Sequence, residues 1–316
     1  MVSRARIAVA TLGVLTAAGV ATVGAAHRAR HDYRLRRHTV PVLPRGTEPI
    51  RVLHVSDLHL LHDDARRQAW VRSLADLQPD LVINTGDNHS DAQAWHAVVD
   101  CLGPLLDRPG AFVWGSNDYF APSFRNPAAY LAGPSSRPDD EVRVPDLPWQ
   151  ALGEAFRSRG WEDLTHRRAS VEVKGLRIEL RGTDDAHHRR DDYARVAGPA
   201  EPGTDLAIGV THAPYLRVLD AFAADGMDLI FAGHTHGGQV CLPGERALIT
   251  NCDIDRHRVK GLHQHTATGS TGRHHTSVLH VSGGMGTSPF APYRLFCPPE
   301  ASLLTLVPRD WSTPRH

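Results

Sequence analysis

The sequence predicts an α/β fold whose central sheet is covered on both faces. Three observations carry that expectation. From residue 50 onward, short apolar runs alternate with stretches of helical spacing in the order β-α-β-α-β. The runs are continuously apolar, so neither face of those strands is matched to water. Five of them also stop at a carboxylate, a carboxamide or an imidazole. In open α/β sheets the carboxyl ends of strands are where binding sites form.

The elements follow in order. "IRVLHVSD" (50–57) reads as a buried strand, and Trp70, Val71, Leu74 and Leu77 set helical spacing over 64–77. "DLVINTGD" (80–87) is the next strand. A helix over 91–102 follows, with Ser90 or Asp91 as its cap and Trp95, Val98, Val99 and Leu102 on its apolar face. "GAFVWGSND" (110–118) is the third strand. Residues 120–148 hold six prolines and read as a long insert, which either covers a site or docks at a bilayer. Residues 170–182 alternate around Lys174-Gly175 as a hairpin, and "DLAIGVTH" (205–212) is a buried strand. Pro214 opens a helix with Leu216, Leu219 and Phe222 inward and Gly226 beyond its end. "MDLIFAGHTH" (227–236) is a strand and loop, and shorter strands are expected at 238–242, 247–250, 278–282 and 302–307. The polar, Gly/Ser/Thr-rich stretch 263–277 reads as a loop. Residues 284–296, "GMGTSPFAPYRLF", read either as ordinary loop packing or as lining for a site.

Composition narrows the function. The chain has 316 residues, enough for one large domain or two small ones, and 41% are hydrophobic, as in an ordinary globular core. Zero formal net charge excludes a generally basic surface, so no nucleic-acid partner is expected. The 21 histidines prompt a search for metal sites. The four cysteines form no CxxC pair, which excludes a zinc ribbon. Free buried thiols are favoured, with a Cys241–Cys252 disulfide left open.

Residues 7–26 carry no charge over 20 positions, just enough for a helix to cross about 30 Å of hydrocarbon. A retained membrane anchor is favoured over a cleaved signal peptide because the apolar stretch is long. Arg28, Arg30, Arg34, Arg36 and Arg37 follow it, against Arg4 and Arg6 before it. That bias would place the C-terminal domain in the cytoplasm, though the side is left open. The basic run can also touch anionic lipid headgroups. The expected organisation is therefore an anchor and basic segment (1–38), a proline-rich linker (39–49), one domain (50–308) and a tail (309–316).

The chemistry lies at the strand ends. They supply Asp57 and His59, then Asp87, then Asn117 and Asp118, then His212, then His234 and His236. Carboxylate, imidazole and carboxamide together suit first-row divalent ions such as Mn, Fe or Zn. Seven candidate ligands are too many for one tetrahedral zinc and suit two ions sharing a carboxylate. Each piece alone is weak: a DxH triplet occurs by chance in such a chain, and His212 alone reads as a core histidine. The ordered set, and "GHTHGG" above all, is hard to explain by packing.

"DLH", "GDN", "GSND", "TH" and "GHTHGG", in this order, resemble the calcineurin-like metallophosphoesterase superfamily. The subgroup that it looks like is the one with an N-terminal membrane segment and the ending "GHTHGGQV". The resemblance spans residues 50–308. It implies a four-layer αββα sandwich, two packed mixed β-sheets flanked by helices, here behind an N-terminal transmembrane helix. It also implies a binuclear centre that hydrolyses phosphomonoesters, phosphodiesters or pyrophosphates, with a hydroxide bridging two divalent metal ions. Carried over by position, Asp57, His59 and His236 hold one ion, Asp87 bridges, and Asn117, His212 and His234 hold the other. A membrane location suggests a lipid-linked phosphate substrate.

One motif departs. The family usually has Gly-Asn-His followed by an acid, whereas this chain has Gly115-Ser116-Asn117-Asp118. Asn117 is taken as the ligand after a one-residue shift, with Ser116 as the alternative. Either Asp118, or a histidine from elsewhere such as His62 or His89, is expected to replace the missing histidine, or the substrate needs no general acid. The departure also motivates a second reading, a non-catalytic metal-binding or interaction domain.

Overall fold

The computed structural model describes residues 19–124, 143–269 and 272–310. Fourteen strands and five α-helices are named below. They are β1 (Arg34–Leu43), β2 (Ile50–Val55), α1 (Ala65–Ser73), β3 (Leu81–Asn84), α2 (Ala94–Leu106), β4 (Gly110–Phe112), α3 (Ser116–Tyr119), α4 (Trp149–Ser158), β5 (Glu162–Asp163), β6 (Arg167–Val173), β7 (Leu176–Gly182), β8 (Leu206–Val210), α5 (Leu216–Ala224), β9 (Leu229–Ala232), β10 (Cys241–Leu242), β11 (Arg246–Ala247), β12 (Gly261–Thr268), β13 (His274–Val281) and β14 (Glu300–Pro308).

Two six-stranded mixed sheets carry the fold, in the orders β1-β14-β2-β3-β4-β5 and β12-β13-β9-β8-β7-β6. In the first, β2, β3, β4 and β5 run parallel, and β14 pairs antiparallel with β2 and parallel with β1; in the second, a parallel centre of β7, β8, β9 and β13 is flanked by antiparallel β6 and β12. Alternation along each strand sorts side chains between two layers. Ile50 and Val52 of β2 pack into the seam between the sheets with Ile178, Ile208 and Phe231. Leu53 and Val55 of the same strand face Val98, Leu102 and Phe156 of the helices on the outer side. The second sheet turns Ala207, Ile230 and Leu279 towards Val218, Leu219 and Phe222 of α5. The layers are therefore helix, sheet, sheet, helix, an αββα sandwich.

Local chemistry sets the element ends. Asp91 accepts the N–H groups of Gln93 and Ala94 at 2.8 Å each and caps α2. That helix continues through Pro104 to Leu106. The carbonyl of Asp100, which a proline four residues on cannot bond, accepts from Arg72 at 3.0 Å instead. Helix α4, at the edge of the proline-rich insert, was not expected; it buries Leu152 and Phe156.

Two readings of the sequence are corrected. Residues 34–43, read as basic collar and linker, form β1, which runs parallel to β14 from Arg34–Glu300 onward. Pro41 is tolerated because β1 is an edge strand and its register shifts there. Arg36 is spent within the fold, paired to Glu245 and Glu300. Residues 263–277, read as a loop, belong largely to the β12–β13 hairpin, with Thr266 and Thr276 opposite each other and their hydroxyls 2.8 Å apart. β12 is an edge of the second sheet, mostly outside the core, so its polar composition hid it.

Of the expected span 7–26, residues 7–18 lie outside the described residues, and 19–29 are helical. No helix among the described residues is long and apolar enough to cross a membrane. Residues 125–142 of the insert and 311–316 of the tail also lie outside the described residues. All four cysteines are buried and free, with no Cys241–Cys252 bond.

Candidate metal centre

The carboxyl ends of the parallel strands in both sheets meet at one rim. The first sheet delivers Asp57 and His59 beyond β2 and Asp87 beyond β3; the second delivers His212 beyond β8 and His234 and His236 beyond β9. Five of these six bend the wrong way for ordinary L-residues: φ is 52° at Asp57, 43° at His59, 56° at Asp87, 67° at His234 and 51° at His236. Left-handed backbone at a non-glycine residue costs on the order of 1–3 kcal/mol and persists only where surroundings impose it. Here the loops are laced together: the N–H groups of Asp57 and His59 donate to the carbonyls of Gly86 and Asp87 at 2.9 Å each.

The lacing brings six of the seven expected ligands into two overlapping groups. Asp57, His59, Asp87 and His236 form one, and Asp87, His212 and His234 the other, with donor atoms inside each within 4.8 Å of one another. Asp87 is common to both. His59 Nε2 and His236 Nε2 lie 3.2 Å apart, and His234 Nδ1 and His212 Nε2 lie 3.1 Å apart. His212 Nδ1 sits 2.7 Å from the carbonyl of Thr85 and donates to it, which leaves Nε2 as the nitrogen that faces Asp87, at 3.5 Å. Imidazole nitrogens turned towards one another around two buried carboxylates are the donor set that a first-row divalent cation fits.

Burial dominates the charges. It pushes Asp87 up to about 7, aided by Asp57 and Asp118 and opposed by His212. It raises Asp57 as well. Burial works against a charged His212, but Asp87, Asp57 and Asp185 together lift it to about 9. His59, His234 and His236 are driven well below the ordinary imidazole value, first by burial and then by neighbouring positive groups.

Residues 50–238 match the family described as calcineurin-like phosphoesterase. The chain belongs to that family. Its relatives include YpbG of Bacillus subtilis (strain 168), an uncharacterized protein, 27% identical over 95% of this chain and 98% of that one. A transmembrane protein with metallophosphoesterase domain from Bos taurus is 28% identical over 64% of this chain and 44% of that one. Among solved structures, TT1561 of Thermus thermophilus aligns at 13% identity and a TM-score of 0.39 over 75% of this chain and 91% of that one. Purple acid phosphatase from yellow lupin (Lupinus luteus) seeds aligns at 13% identity and a TM-score of 0.38, over 78% and 46%.

The third motif of this chain has a definite place in the geometry. Asn117 donates through its backbone N–H and its side-chain amide to the two oxygens of Asp87, at 2.7 and 2.8 Å. Ser116 instead donates to Asp185 Oδ2 at 2.8 Å. Asp118 does not face the site. It is fully buried and accepts the backbone N–H groups of Asp87, Asn88 and Gly115 at 2.7–2.8 Å, so it positions loops and has no free oxygen edge for substrate. His62 is exposed and paired with Asp91, and His89 is fully enclosed beside Asp118. Neither borders the cavity over the site.

That cavity, about 560 Å³, is floored by His59, Asp87, Asn117, His234 and His236. Its walls include Phe120, Val240, Leu248, Ile249, Phe290 and Tyr293, so the 284–296 stretch does border it. Several groups at the site escaped the sequence reading. His187 and His188 line the cavity, and Asp185 lies behind them. They follow β7, whose run "IELRGTDD" also stops at carboxylates, so the strand-end rule would have found them. Buried Arg294 donates to the carbonyls of His236, Gly283, Gly284 and Gly286 at 2.6–3.2 Å and braces the histidine loop. No local pattern announces it.

Proposed function

We propose that this chain is a hydrolase that cleaves a phosphoester or pyrophosphate with two divalent ions, Mn, Fe or Zn. The observation that carries this is the pair of donor groups sharing Asp87. Asp57, His59 and His236 would hold one ion and His212, His234 and Asn117 the other. Such ions, when bound, neutralise phosphoryl oxygens and lower the pKa of a coordinated water to supply the nucleophile. The chain's own part is orientation: Asn117 grips both oxygens of the shared carboxylate, and Asp118 holds the backbone on either side of it. The low-dielectric floor strengthens each contact to a phosphate.

The substrate we favour carries an apolar group on its phosphate. Phe120, Leu248, Ile249 and Phe290 supply an apolar wall beside the polar floor. The N-terminal segment points the same way. The carbonyl of Ala26 accepts from the N–H of Arg294 at 2.9 Å, so the described end of that segment, residues 19–26, meets the domain next to the wall formed by 288–293. With the apolar stretch 7–26 as a single membrane span, the cavity faces lipid-linked phosphates. The bovine relative's name, a transmembrane protein, is consistent with this reading.

The test is turnover of an aryl phosphodiester and of a lipid pyrophosphate by Mn²⁺-supplemented full-length protein. Asp87→Ala removes the ligand common to both groups and is expected to abolish turnover of both substrates. A folded wild-type protein that takes up metal yet turns over no phosphoester marks a non-catalytic metal-binding domain instead.

A further inference from the structure

We propose that His188, oriented by Asp185, donates the proton that the leaving oxygen needs when the phosphoester bond breaks. The inference rests on the hydrolase reading and adds a catalytic residue to it. An alcohol leaves poorly as its anion, so a donor beside that oxygen is worth about 10²–10⁴ in rate. The candidates are the groups that line the cavity. His59, Asp87, His234 and His236 belong to the metal donor set. Asn117 and Ser116 release no proton at neutral pH, and Arg143 keeps its charge. Tyr293 offers a phenol, which is a weaker acid than an imidazolium. His187 is stacked on His234 with ring centroids 4.4 Å apart and has Nδ1 on the hydroxyl of Tyr215 at 3.1 Å. His188 remains.

The support behind His188 is built for such a task. Its Nδ1 lies 2.8 Å from Asp185 Oδ2. Asp185 is fully buried, and its carboxylate also accepts the Ser116 hydroxyl at 2.8 Å and the His187 N–H at 2.9 Å. It therefore has one orientation, and a carboxylate on Nδ1 holds the proton there. Nε2 makes no hydrogen bond among the described residues and is the nitrogen left for the cavity. Phe120 packs edge-on to the ring at 5.3 Å and limits its rotation. Ser116 thus occupies a motif position from which it steadies the histidine of another loop.

The step balances. The attacking water's oxygen forms a new bond to phosphorus as its proton leaves to solvent. The bond from phosphorus to the leaving oxygen breaks with its electron pair on that oxygen. The Nε2 proton of imidazolium His188 moves to it, giving the free alcohol and a neutral imidazole that solvent reprotonates. Asp185 is a positioning residue throughout.

The experiment compares two aryl methyl phosphodiesters, one leaving as nitrophenol and one as phenol, with Mn²⁺-loaded full-length protein. His188→Gln is expected to lose about 10²–10⁴ on the phenyl ester and under about ten-fold on the nitrophenyl ester, while keeping wild-type metal content. In ¹⁵N-histidine NMR of metal-free protein, His188 is expected to carry its proton on Nδ1, and Asp185→Asn to disturb that signature. Equal losses on the two esters, no loss, a proton on Nε2 in the neutral ring, or loss of metal from His188→Gln would each overturn the role of His188 alone. No wild-type turnover of either ester would overturn the hydrolase reading and this role with it.

Discussion

At the scale of single residues, the site is a set of awkward conformations held by close packing. Asp57 shows how. Its Oδ2 accepts from Ser56 Oγ at 2.5 Å, Ser56 Oγ accepts from Thr85 at 2.6 Å, and Thr85 Oγ1 meets His54 Nε2 at 3.0 Å. His54 in turn meets His280 across the seam at 2.8 Å, and burial pushes its pKa down to about 3, so it stays neutral. Gly233 is where this chain leaves no room. A Cβ there would lie 2.0 Å from Ser56 Oγ and 2.7 Å from Asp57 Oδ2. Gly233→Ala should destabilise by about 1–3 kcal/mol, the range for overpacking, and weaken Mn²⁺ binding by displacing Asp57. Thermal melts and metal titration check this; a variant that binds Mn²⁺ as wild type does would show the loop has slack it is not drawn with. The six clustered side chains were legible in sequence because each is a polar residue ending an apolar run. Asp185 and His188 obey the same pattern after β7 and were passed over because the hairpin reading ended at Gly182.

At the scale of elements, the strands and helices of the parallel centres could be read from continuous apolar runs and helical spacing, since both of their faces are covered. The edges could not. β1 and β12 are largely exposed on one side, where arginine, glutamine and threonine point outward and read as collar and loop. The difference has a measurable consequence at Leu43. In a linker this side chain would be solvated, whereas in β1 it is fully buried in the seam. Leu43→Ala should therefore cost about 2–5 kcal/mol in denaturant unfolding. A change near zero would return residues 39–49 to the status of a tether. The pairing of edge β12 with β13 follows from long-range registration that no local window contains.

At the scale of the whole molecule, the candidate centre joins the two sheets, and its protons would compete with a bound cation. Burial raises Asp87 from 3.8 to about 7, and burial offset by three carboxylates leaves His212 raised from 6.5 to about 9. Both shifts favour the protonated folded form, so their stabilising contributions hold at low pH and are lost as pH rises through about 7 and about 9. A cation needs both groups without those protons. Apparent Mn²⁺ affinity is thus expected to rise with pH from 6 to 9, with proton release on binding that diminishes across the same window. Calorimetry in buffers of different ionisation enthalpy measures both, and a flat affinity would show that neither group yields a proton to the ion. Asp57 and His59 ride on the first sheet, and His212, His234 and His236 on the second. If one sheet slides over its neighbour by even a fraction of an ångström, the gap between the two half-sites changes by a like amount. The spacing at which this chain would do chemistry is then a gauge of how squarely its own two slabs are stacked, and a seam mutation far from any phosphate can be felt at the rim.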